Sequence, residues 1–296
     1  MKKILMTLAA VLCCAMTVQA QLLYKISGGG LTEPSYILGT NHYASISFVD
    51  SIPGLRRVMN DTQQVYTESK TDSESDDDGI AANMFLPDGM TLDSLLTADE
   101  MQRFSAFMMD SFKLDSVKLT RLCDLKPAAI IYLIIHIQAS TDNTPQTNGL
   151  HSFDDYFKKE ALAQGKEVGG LEAREFQYKL LFDLIPLERQ KVLLMCKIDN
   201  PHPEKEDDFL ELYYAKDLDA IWKAFIKPSD RDGCDYTIDE KGEIVIARNL
   251  AWMKKIPSVM SSKSTLFVVG ALHVAGPDGV LNMLRKAGYT VEAVKE

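Results

Sequence analysis

Three things are scarce in this 296-residue sequence: cysteine, net positive charge and long apolar runs. Of the five cysteines, Cys13 and Cys14 fall in an apolar N-terminal stretch, which leaves Cys123, Cys196 and Cys234. Three widely spaced cysteines do not make a disulfide scaffold or a CxxC metal or redox site; they leave room for one pair whose members the sequence does not identify. The formal charge is −10, so phosphate backbones and anionic headgroups are repelled, and neither nucleic acid nor a membrane surface is the expected partner. Beyond the N-terminus the longest apolar stretch, "AAIIYLIIHI" at 128–137, is about half of the ~20 residues needed to span a bilayer. Also missing are a GxSxG elbow, an HExxH helix, a P-loop and a strand-borne GxGxxG. Serine-triad hydrolysis, zincin-type proteolysis, nucleotide hydrolysis and nicotinamide chemistry recede with them.

What is present begins with an address. Lys2 and Lys3 precede the apolar run Ile4 to Val18, and Val18-Gln19-Ala20 offers the small residues of a signal-peptidase site, so residues 1–20 read as a cleaved leader. Cys13 follows Leu12, and Cys14 follows Cys13, where a lipobox wants a small residue, so a soluble exported product is expected over a lipid-anchored one. The short basic start reads as bacterial, and the compartment as periplasmic or extracellular. Loss of Lys2 and Lys3 takes the charge from −10 to −12.

Residues 21–296 read as one domain of mixed α/β class, with strands from both ends of the chain, flanking helices and a helical insert at about 92–164. "LLYKIS" and "SYIL" read as a hairpin, and a helix opened by Pro53 leads to the strand "TQQVYTES". The acidic run "DSESDDDG" at 72–79 lacks apolar period and reads as a solvated loop. Helical periodicity covers 92–139, with Pro127 opening a very apolar helix, and the polar "STDNTPQTNG" breaks it. An amphipathic helix at 152–164, the strand "KEVGGLE", and helix from 173 to 196 bent near Pro186 follow. More helix is expected to about 261, then the strand "TLFVVG", a loop, a helix and a last strand "YTVEAV".

Four of these strands end on chemistry. His42 follows "YILGTN", Glu68 follows "QVYT", Glu172 follows "EVGGL" and His273 follows "FVVGAL". Parallel strands of one sheet place their carboxyl ends at one edge, where ligands of open α/β sheets bind. Gly39 and Gly270 each stand three residues before the histidine, where a missing side chain lets the backbone turn off the strand. One strand-end histidine is adequately explained as a hydrogen-bonded structural residue; two, with two glutamates, point to a shared pocket. His136 reads as helix core, His151 as ambiguous at a helix start and His202 as an exposed loop residue.

Two histidines with one or two carboxylates suit Mn²⁺, Co²⁺, Fe²⁺ or Zn²⁺, and hydrolysis by metal-activated water with a glutamate as base is the natural chemistry. Arg248, in "EIVIARNLAWMKKI", reads equally as a helix-surface or ion-pair arginine and as a clamp on a carboxylate of the site or substrate.

The stretches "YILGTNHY", "VYTES", "GLHSFDDYFKKEALAQGKEVGGLEAREFQ", "ARNLAWMKKI" and "FVVGALHVAGPDGVLNMLRKAGYTV" together resemble the TraB/PrgY/GumN family, which includes the TIKI metalloproteases. The resemblance runs from about residue 22 to 294 and covers Asp154, Gly170, Gln177, Asn249, Gly276, Gly279, Leu284 and Gly288 beside the residues above. It implies a fold related to erythromycin esterases and ChaN-like proteins. It further implies divalent-metal peptide hydrolysis, Mn²⁺ or Co²⁺ favoured, through His42, His273 and Glu68. Glu172 then stands as a second ligand or base, and Arg248 as a group that orients substrate or steadies an oxyanion. The expectation is an exported metal-dependent peptidase acting on a peptide or protein. A non-catalytic protein that sequesters a peptide signal or a haem-like ligand is the alternative.

Overall fold

The computed structural model describes residues 21–69, 82–142, 153–201, 209–228 and 233–295. Residues 1–20, expected as a leader, the acidic run at 72–79, most of the polar break after 139, His151 and His202 lie outside the described residues.

All six expected strands form: β1 (Leu23–Gly28), β2 (Ser35–Thr40), β3 (Gln64–Ser69), β4 (Glu167–Glu172), β5 (Thr265–Gly270) and β6 (Tyr289–Ala293). They make one sheet in the order β4-β3-β5-β2-β1-β6. β1 and β2 are the expected antiparallel hairpin, with Leu23 opposite Leu38, and β6 closes the edge antiparallel to β1. From β2 outward to β4 the strands run parallel. Burial follows from that arrangement. β2 is buried at every position and β5 at all but its last, as strands covered on both faces must be, whereas β1 is buried only at Leu23 and Ile26.

Helices are placed by local signals. Thr97 with Glu100 and Thr237 with Glu240 form reciprocal capping boxes at the starts of Ala98–Phe112 and Ile238–Lys241. Pro127 opens Pro127–Asp142, and Pro186 separates Arg174–Asp183 from Leu187–Asp199, both as expected. The helix assigned to Pro53 starts later, at Leu55, because Gly54 in a left-handed conformation (φ 70°) makes the turn that Pro53 cannot.

Two clusters of buried apolar side chains result. One wraps the sheet, with Leu38, Phe267, Val268, Phe157, Trp252 and Leu284. The other lies among helices and draws Phe104, Ile130, Ile134 and Leu194 together, so the helical layer extends beyond 164 to include Leu187–Asp199. Gln190, buried, ties it: its Oε1 accepts from the Ala128 N–H at 3.1 Å, and its Nε2 donates to the carbonyls of Phe182 and Ile185, both at 2.9 Å. Backbone groups left over at helix ends are satisfied in this way. Cys196 and Cys234 form the disulfide, and Cys123 is a buried free thiol. Among the described residues no helix is long and apolar enough to cross a membrane.

Candidate functional site

The four polar strand ends meet. β4, β3, β5 and β2 are parallel neighbours, so Glu172, Glu68, His273 and His42 stand in that order along one edge of the sheet. The glycines before the histidines are needed for close approach. A Cβ on Gly39 would lie 2.8 Å from Val274 Cγ2 and 3.2 Å from Ala271 Cα, so β2 packs directly on the turn that carries His273. On Gly270 it would lie 3.1 Å from Glu68 Oε1, and the Gly270 N–H itself donates to that oxygen at 2.7 Å.

His273 is buried on the short helix Ala271–Val274. Arg248 Nη1 donates to its Nε2 at 2.8 Å, which places the ring proton on Nδ1, facing Asn249 Oδ1 at 2.8 Å. Asn249 is held in that sense by donating its Nδ2 to the carbonyls of His273 and Asp278, at 3.2 and 2.9 Å. Burial pushes the imidazole down to about 3, beyond what attraction to Glu68 restores, so the ring stays neutral.

His42 differs. Its Nδ1 donates to Asp154 Oδ2, while Asp154 Oδ1 accepts from Thr40 Oγ1 at 2.5 Å. The Asp154 carboxylate raises His42 to about 9, more than burial takes away. More than half of the His42 side chain, 58%, is exposed, whereas Asp154 is buried. Among the described residues nothing hydrogen-bonds His42 Nε2.

Arg248 is the centre of the edge. Its Nη2 donates to Glu68 Oε2 at 2.6 Å and to Glu172 Oε1 at 2.5 Å, and its Nε adds bonds of 3.1 and 3.2 Å to the two Glu172 oxygens. Trp252 Nε1 donates to Glu172 Oε2 at 2.8 Å, and the indole lies 4.9 Å under the guanidinium. Arg248 is thus a buried ion-pair arginine, not a helix-surface one, and the carboxylates it pairs are those of this edge. Glu68 also accepts from Gln177 Nε2 at 3.1 Å. Burial acts to raise Glu68, but Arg248, His42 and the Gly270 N–H overcome it and hold the carboxyl below its ordinary value.

A cleft of about 550 Å³ opens on this edge. His42, Glu68, Asp154 and Arg248 form one end, and Tyr132, Tyr178, Leu181, Phe182 and Tyr236 line the other. His136, expected in the helix core, instead lines this cleft, with the rings of Tyr43 and Tyr132 each 6.1 Å away. The periodicity of so apolar a helix does not say which side meets a cavity. Asp154 stands out in the sequence only through the resemblance, with no role attached, and an Asp-Asp pair in a first helical turn also suits the helix dipole. Trp252 does not stand out, because its apolar bulk reads as core.

In donor chemistry, two imidazoles each anchored through Nδ1 and a carboxylate on the same edge fit a divalent ion; a second partner on the far ring nitrogen is how ligating histidines are held. Among the described residues, though, no three His, Cys, Asp or Glu side chains are grouped closely enough to hold one as they stand. The Arg248 guanidinium fills the space between Glu68, Glu172 and His273.

The chain is 24% identical over 304 residues to the Metalloprotease TIKI homolog of Amphimedon queenslandica, covering 88% of this chain and 59% of that protein. It is 21% identical over 312 residues to the Metalloprotease TIKI homolog of Nematostella vectensis (89% and 65%) and 24% identical over 301 residues to Metalloprotease TIKI2 of Danio rerio (88% and 58%). It thus spans about three-fifths of the length of these relatives. No solved structure matches it. The TraB/PrgY/gumN family model matches residues 22–293, nearly the whole sequence and every residue of the edge just described, and the chain belongs to that family.

Proposed function

We propose that this chain is an exported hydrolase that cleaves peptide bonds in a peptide or protein substrate with the help of a divalent metal, Mn²⁺ or Co²⁺ before Zn²⁺. The observation that carries the reading is the pair of strand-end histidines on adjacent strands β2 and β5, each with Nδ1 anchored by a dedicated acceptor. His42 and His273 through Nε2, with Glu68, would hold the ion. When bound, it supplies an activated water and polarises the scissile carbonyl. The relatives' name, metalloprotease, agrees with this set.

The remaining residues have definable tasks. Asp154 and Asn249 fix the ring orientations of His42 and His273. Glu172 is spent on Arg248 and Trp252, which makes it a positioning residue for the guanidinium rather than the base. Glu68, held ionised, is better suited to bind a cation than to carry a proton. The aromatic end of the cleft gives an extended peptide apolar surface to lie on. Residues 1–20 deliver the chain out of the cytoplasm, and its acidity keeps nucleic acid away.

The test is metal content by elemental analysis after incubation with Mn²⁺ and gel filtration, on the wild type beside His42→Ala and His273→Ala, with a diverse peptide library as substrate. Near-stoichiometric metal lost in both variants, with metal-dependent cleavage by the wild type alone, is expected. A wild type that takes up no metal and cleaves no peptide would overturn the reading.

A further inference from the structure

We infer that Arg248 is an internal counter-cation that holds the metal site closed, and that the ion and the guanidinium exclude one another. The inference rests on the metal reading above. Three groups that face a common point, Glu68 Oε2, Glu172 Oε1 and His273 Nε2, are all bonded to the two terminal nitrogens of this one guanidinium, at 2.6, 2.5 and 2.8 Å. Glu68 and His273, two of the three groups that would hold the ion, are thus taken up by the guanidinium, and Glu172 keeps it there. The lone pair of His273 cannot serve a metal and accept from Arg248 together.

The backbone that carries Arg248 is irregular. Gly242–Ala247 is a π-helix, and Arg248 begins the α-helix Arg248–Met253 directly after it. Segments of π-helix hold one residue more per turn than an α-helix, and they concentrate at functional sites. The long Arg248 side chain turns away by its own torsions while Asn249, next to it in the helix, keeps its bond to His273. Arg248 Nη1 also donates to the Ile244 carbonyl inside the π segment, at 3.4 Å, so the side chain is tied to the register that positions it. Trp252, one helical turn on, packs its ring 4.3 Å from His273.

The experiment is Mn²⁺ titration of the leaderless chain at constant pH, followed by the electron paramagnetic resonance signal of free Mn²⁺, for the wild type, Arg248→Met and Arg248→Lys. Melting temperature with and without Mn²⁺ is the second readout. Arg248→Met is expected to bind at least tenfold tighter than the wild type, and to melt lower when metal-free but recover with Mn²⁺. Arg248→Lys, which keeps the charge but cannot bridge three groups, is expected in between, and it carries the test where Arg248→Met does not fold. Tight binding by the wild type with equal or weaker binding by both variants would overturn the inference and leave the metal site standing. Absence of binding in all three would overturn the metal site and the inference together.

Discussion

Removing the charge of Asp154 should return His42 to an ordinary histidine. Asp154 is buried, bonded on one oxygen by Thr40 and on the other by His42, and its attraction lifts His42 from 6.5 to about 9. In Asp154→Asn the amide keeps its shape and an acceptor but not its charge, so the His42 titration should fall to near 6.5. The same change must appear in stability. A group whose folded value is raised stabilises fully below its unfolded value, and that stabilisation is lost as pH rises, here between about 6.5 and 9. The full displacement would correspond to several kcal/mol, but the His42 side chain is 58% exposed and solvent screens the pair, which holds the effect to about 1 kcal/mol. The assay is NMR of the imidazole carbon-bound protons in metal-free protein. Five histidines make assignment by a His42→Gln variant straightforward. Urea unfolding at pH 6 and pH 9 reads the stability. A wild-type His42 that titrates near 6.5, or one unmoved by Asp154→Asn, would refute the pairing.

Two further outcomes follow from buried groups. Glu172→Gln removes one of two carboxylates from a buried guanidinium, leaves Glu68 to balance the charge, and should cost about 1.5–3 kcal/mol in denaturant unfolding for the lost charge-assisted bonds; a loss under about 0.5 kcal/mol would show that the ion pair is not formed. Reduction of Cys196–Cys234, which are 38 residues apart, should lower stability by about 4 kcal/mol through loop-closure entropy, and thiol counting of the denatured, unreduced leaderless chain should find Cys123 alone.

Much of the molecule is local and therefore legible in the sequence. Six strands, the Pro127 and Pro186 boundaries and the polar tips at His42, Glu68, Glu172 and His273 all come from apolar runs, turn residues and glycines that act within a few positions. The burial of β2 and β5 also follows from their unbroken apolar runs. Tertiary structure alone decided the rest. The order β4-β3-β5-β2 slides a strand from residue 265 between strands from residues 35 and 64, and backbone hydrogen bonds, which every strand offers alike, carry no mark of that choice. For the same reason Asp154 meets His42 across 112 residues and Arg248 reaches Glu68 across 180. A charge finds its partner through space, and in this fold the space was made by the packing of the sheet and the helices around it.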